Sequence, residues 1–298
     1  MTLVKLPQSV VMAMATKEHR LWHYLWHGLR DNWETLTRLQ RQSVIDVYPG
    51  WEPPRPSLDA NQKPIRDNDS GEDFLYMHRT MIMMVNGILA NEGNPNYPWV
   101  QGWKKVPRPW DNDYQVPPIY SLGGDPKDDQ GLKDIKSDDA FWRSFAVWEQ
   151  QYIDPDYLRS VTLGQLGSDI EWTIHNSMHM RWSAESPMGY RPDSALNDPV
   201  DEKWNQPEYN WLGDTYSSHV NPIFWKLHGW VDDRINDWKR VNRADDYEWK
   251  GTWIGNPVTH IHHHQDEMMV DPVEIDKLER LASILSSTGK GRGFFFIP

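Results

Sequence analysis

Apolar residues recur with a helical period along most of the chain. Between residues 17 and 48, Leu21, Leu25 and Leu29 follow one another at four-residue steps, with Trp22, Trp26 and Trp33 beside them. Proline is absent until Pro49-Gly50, so the spacing predicts one helix or two in succession, ended by that dipeptide. A further helix is expected to begin near Glu72 and to run through FLYMHRTMIMMVNGILA, with Met and Leu on every side, as in a buried helix. Residues 91–135 are dominated by Asn, Pro, Gly and Asp and read as a long surface excursion with little regular structure. Helix returns at SDDAFWRSFAVWEQQYI, where Ser137 is placed to cap acidic first-turn residues. It is expected again over about 163–182, after Pro222, and near 272–287. β-branched alternation is scarce. The expected fold is therefore all-α: one domain over 1–298, a four-helix bundle core, and long irregular loops.

Composition narrows the function. A chain of 298 residues with net charge −12 and no basic run is poorly suited to a phosphate backbone, so no nucleic-acid partner is expected. No apolar run approaches the roughly 18 residues of a membrane span. Pro7, Gln8 and Ser9 interrupt the apolar N-terminal residues, which argues against a secretory leader and for a cytoplasmic protein. With no cysteine, disulfides, thiolate metal sites and a nucleophilic thiol are excluded. The 18 tryptophans fall mostly at helical spacing among Leu and Met, which predicts core packing. A homo-oligomer stays open.

The 12 histidines carry the chemistry. His19, His23 and His27 stand four apart on the first long helix, and His175 and His179 repeat that step. Residues four apart are turned by only about 40°, so two neighbours can address one ion, whereas His19 and His27 diverge by twice that angle. His78 and His228 stand alone in apolar stretches. Any one of these is commonly a core histidine with a satisfied ring. Seven imidazoles on apolar helices are another matter, because their burial is unfavourable unless something ligates them. The pattern predicts two three-histidine sites facing each other across four helices. An all-imidazole set suits copper, zinc, iron or nickel. THIHHHQ (His260, His262, His263, His264) is metal-attractive in composition, but its setting near Pro257 reads as a solvated run.

These segments resemble the type-3 copper superfamily, its hemocyanin and prophenoloxidase branch in particular. WHYLWHGL is similar to the stretch that presents two copper-A histidines, which selects His23 and His27 and leaves His19 outside. GEDFLYMHR resembles the segment with the third ligand, here His78. IHNSMH resembles the H-N-x-x-H pair of the second site, here His175 and His179, and NPIFWKLHGWVDDR resembles the element whose histidine, here His228, completes it. The matches cover roughly residues 15–90 and 165–240. The chain departs from the pattern at Asn221, where the family carries Asp, and at Asp69, where the tyrosinase branch carries His.

The resemblance implies a metal enzyme of a small aromatic substrate, with Glu171 and Asn176 as residue types that position a water or a proton at the site. Glu171 reads equally as an acceptor that orients a ligand histidine. Asp232 reads as an ion-pair residue, with Arg79 or Arg234. A compact, cysteine-free chain of this kind is most similar to the hemocyanin-like cyclopenases of fungal alkaloid biosynthesis. That implies zinc as Lewis acid and the contraction of an epoxidised benzodiazepinedione, cyclopenin, to a viridicatin-type quinolone, with loss of the N-methyl carbamoyl fragment. The alternative is a phenol oxidase of the tyrosinase or catechol-oxidase kind, with two copper ions.

Overall fold

The computed structural model describes residues 5–47, 55–122, 125–191, 201–249, 251 and 272–286, and it is all-α: among these residues no strand forms, only an isolated bridge between Leu58 and Pro64. The chain begins with α1 (Gln8–Met14), α2 (Lys17–Asn32), α3 (Arg38–Val47) and α4 (Ser70–Glu92). There follow α5 (Pro126–Ile135) and α6 (Asp138–Ala140), which passes through a π-helical turn into α7 (Ala146–Ile153). Next come α8 (Pro155–Ser160) and α9 (Leu163–Ile170), which runs through a second π segment (Glu171–His175) into α10 (Asn176–Trp182). The last two are α11 (Pro222–Asn242) and α12 (Pro272–Ser286). No helix among the described residues is long and apolar enough to cross a membrane.

Local chemistry explains the boundaries. Thr16 caps α2 by accepting from the His19 amide, and Ser137 caps α6 through the Ala140 amide. Thr162 and Gln165 form a reciprocal capping box on α9. Asn221 caps α11 ahead of Pro222, and its side-chain amide donates to Asn210 O at 2.9 Å. The periodic stretch 17–48 resolves into α2 and α3 because a short 3-10 turn (Trp33–Thr35) ends the first. Within the expected excursion at 91–135, the first two residues end α4, the described residues from 93 to 122 are irregular, and the last ten form α5. Asp125 caps that helix and Pro126 occupies its first turn, a start signal that the surrounding Asp and Gly obscured.

Two close crossings hold the histidine-bearing helices together. At the start of α4, Gly71 meets the backbone of Gly164, Gly167 and Ser168 on α9, an approach only glycine permits. On α11, Gly229 packs against the backbone of Gly102, and the Trp103 amide donates to Lys226 O at 2.9 Å. The irregular stretch thus clamps the turn that carries His228. Among the described residues ten tryptophans are buried; Trp99, Trp110 and Trp142 are exposed.

Candidate metal centre

Helix α2 is buried on almost every side, so His19, His23 and His27 all lie in the interior. His78 comes from α4, His175 and His179 from the π segment and α10, and His228 from α11, all of them buried. The rings meet. The ligand-capable nitrogens of His23, His27 and His78 lie within 4.8 Å of one another, and so do those of His78, His175 and His228. His78 belongs to both groups, its ring stacked on that of His228 with centroids 4.2 Å apart. His179 joins the second group through His175, Nε2 to Nε2, at 3.1 Å. All six histidines expected from the sequence are thus brought to one place. His19 stands apart, its ring against Trp22 and against His219.

The backbone sets the direction of four of the rings. Nδ1 donates to Phe74 O in His78 (2.9 Å), to Leu212 O in His179 (2.8 Å), to Phe224 O in His228 (2.8 Å) and to Thr215 O in His23. A donor at Nδ1 leaves the lone pair on Nε2. Nε2 of His23 and of His78 is buried and meets no hydrogen-bond partner among the described residues. In the second group, His175 Nε2 lies 3.0 Å from His228 Nε2 and 3.1 Å from His179 Nε2. A single hydrogen could serve only one of those two contacts, whereas a cation satisfies all three nitrogens. Burial pushes the imidazoles down, His23 to about 4 and His175 to about 3, and His27, His78, His179 and His228 well below the ordinary value. All are therefore neutral near pH 7, the form that binds metals. The donor set fits a resident metal on these grounds.

The surroundings are aromatic. Phe224 lies against His228 with centroids 3.7 Å apart and also touches the rings of His23, His78 and His179. Phe74 packs on His78 and His175. A π turn of the kind found at Glu171–His175 is common at functional sites, where the added residue re-aims side chains.

Asn176 is buried beside the centre, its Oδ1 2.9 Å from His175 Nδ1. Glu171 is buried one turn before His175, and its carboxylate is held by Arg30 from α2, at 2.7 Å from Nη1 and 3.1 Å from Nη2. Burial raises the Glu171 pKa while Arg30 opposes that rise. Arg30 also stacks on Trp26 and donates to Ser70 O at 2.8 Å. Asp232 is in an ion pair with Arg79, with Nε to Oδ1 at 2.6 Å, tying α11 to α4 next to His228 and His78; Arg234 pairs with Asp237 instead. His260, His262, His263 and His264 lie outside the described residues.

Two participants have no signature in the sequence. His219 is buried behind His23, Nδ1 to Nδ1 at 3.3 Å, and its Nε2 donates to Met14 O at 3.1 Å. It has no helical partner at i±4, the only spacing that picks out ligand histidines. Arg30 is separated from Glu171 by 141 residues, and its charge on a helix otherwise suggests a solvated face.

No protein-family model matches the chain, and no curated protein does either.

Proposed function

We propose that this chain is a histidine-bound metal enzyme of the hemocyanin-like type, acting on a small aromatic substrate, with zinc as its metal. The reaction is that of the cyclopenases: contraction of an epoxidised benzodiazepinedione to a quinolone. The observation that carries the reading is the meeting of His23, His27 and His78 with His175, His179 and His228 in one buried cluster lined by aromatic rings, with no carboxylate in either three-histidine group. His23, His27 and His78 would hold one cation, and His175, His179 and His228 a second.

A zinc ion so held supplies Lewis-acid polarisation of a carbonyl or epoxide oxygen without redox change. The rest belongs to the chain. The backbone carbonyls behind His23, His78, His179 and His228 fix the ring planes, so these four ligands are pre-organised. Phe74 and Phe224 offer apolar faces to an aryl-substituted bicycle and exclude water. Asn176, held against His175, orients a polar group of the substrate. Glu171 keeps its carboxylate on Arg30 and holds a proton only when that pair opens.

Elemental analysis of the purified protein, followed by incubation with cyclopenin, tests the reading. Zinc in the protein and quinolone formation support it. Two coppers, quinone formation from catechol and untouched cyclopenin would establish the phenol-oxidase alternative. The nearness of the two groups, which both include His78, is equally what that second reading requires of a copper pair.

A further inference from the structure

One stretch, Tyr209–Val220, irregular up to a 3-10 turn at Ser218–Val220, supports a ligand of each triad. Leu212 O accepts from His179 Nδ1 at 2.8 Å, and three residues on, Thr215 O accepts from His23 Nδ1. Between them stands Asp214, fully buried. Its carboxylate accepts from Arg191 Nε (3.1 Å) and Nη2 (3.0 Å), from the Tyr209 hydroxyl (2.7 Å) and from the Tyr216 amide (3.0 Å). Its own carbonyl accepts from the Ser217 and Ser218 amides at 2.9 and 2.8 Å. Arg20 on α2 fastens the stretch from the other side, donating to Tyr216 O at 3.2 Å and Gln206 O at 2.9 Å.

We infer that Asp214 is a positioning residue whose buried contacts make the stretch Tyr209–Val220 a rigid brace, so that filling one triad with metal pre-orients the other. The inference rests on the metal reading above and adds a coupling to it. An imidazole that binds metal must keep its Nδ1 on its acceptor, because that bond sets both the tautomer and the ring plane. When His23 is fixed by a cation, Thr215 O is fixed with it. Asp214 transmits this to Leu212, two residues earlier, because its carboxylate and its carbonyl each hold the turn. Leu212 O then presents the orientation His179 needs. The linkage is reciprocal, as any coupling of binding free energies must be. A brace without the Asp214 anchor would still cover the centre but would let the two carbonyls move independently.

The test is a titration of the metal-free full chain with zinc ion alone, in competition with a chromophoric chelator, reading each affinity separately. The wild type should take up two equivalents. His27→Ala removes a ligand of the first triad without touching the brace, and should lower the affinity of the remaining position by about ten-fold. In an Asp214→Asn background both affinities should start about 10- to 100-fold lower, and His27→Ala should then cost the second position no more than about two-fold. His78, whose ring lies on that of His228, couples the triads in every background, so the brace is read from the difference between backgrounds. Should Asp214→Asn fail to fold, Tyr209→Phe removes a single donor from the same carboxylate and should reduce the coupling in the same sense. An equal effect of His27→Ala in both backgrounds, or a loss at only one position on loosening Asp214, overturns the inference and leaves the metal reading standing. A wild type that takes up no zinc overturns both.

Discussion

His175 Nε2 and His228 Nε2 face each other at 3.0 Å across two helices, and His228 has already given its Nδ1 hydrogen to Phe224 O. His179 Nε2 presses on the same atom of His175 from its other side, at 3.1 Å. Such a convergence of imidazole nitrogens in a dry interior is favourable when a cation lies among them and unfavourable otherwise. Removing metal should therefore destabilise the protein. Dialysis against a strong chelator is expected to lower the Tm, and zinc at a thousand times its Kd to restore about 4 kcal/mol. His228→Ala should abolish one equivalent of uptake. An unfolding curve indifferent to chelator would refute the assignment.

How the sequence bears on this centre differs residue by residue. His23, His27, His175 and His179 declare themselves because the i,i+4 step is a property of one helix, and helices are local. His78 and His228 were legible only through their neighbours, since a lone imidazole in an apolar run has no period. The acceptors behind the rings are backbone carbonyls of Leu212, Thr215, Phe74 and Phe224, and a carbonyl is the same in every residue. His219 and the Arg30–Glu171 pair depend on contacts that close only when distant segments pack. The all-α class followed from periodicity, whereas α5 was hidden by composition even though Asp125-Pro126 marked its start.

Arg30 and Glu171 form an ion pair in which neither side chain is exposed by more than 3%. The loss of one partner strands a buried charge. Arg30→Met and Glu171→Leu should each destabilise by about 3–5 kcal/mol, while the double substitution should cost clearly less than the sum. Urea unfolding of the three variants measures this. Additive losses would mean that the two groups do not depend on each other.

The glycines of α4 should respond in opposite directions. A Cβ on Gly71 would run into the backbone of α9, where no side chain can yield, so Gly71→Ala should lower stability by about 2 kcal/mol or more and loosen His78 against His175. Gly87, on the exposed side of the same helix, has nothing near its Cβ direction, so Gly87→Ala should add about 0.5–1 kcal/mol. Thermal unfolding of the two variants decides it. A stabilising Gly71→Ala would show that the helices are not in backbone contact there.

Asp31 gives the stability a pH dependence of defined sign. Burial, and then the neighbouring Glu171 charge, raise its pKa from 3.8 to about 7, against the pull of Arg30 and of the Ser57 hydroxyl. Between those two values the folded chain holds a proton that the unfolded chain has released. Stability linked to this group is thus complete below pH 3.8 and is lost as the pH rises through 7, at a rate of at most about 1.4 kcal/mol per pH unit. Asp31→Asn keeps an oxygen for the Ser57 hydroxyl and removes the titration. Relative to the wild type, the variant should be indistinguishable near pH 4 and more stable at pH 8, where the wild type must hold a second carboxylate charge beside Glu171. Tm values of both proteins across pH 4–8 provide the measurement, and a gap that stays constant over that range would show that Asp31 is ionised in the fold throughout.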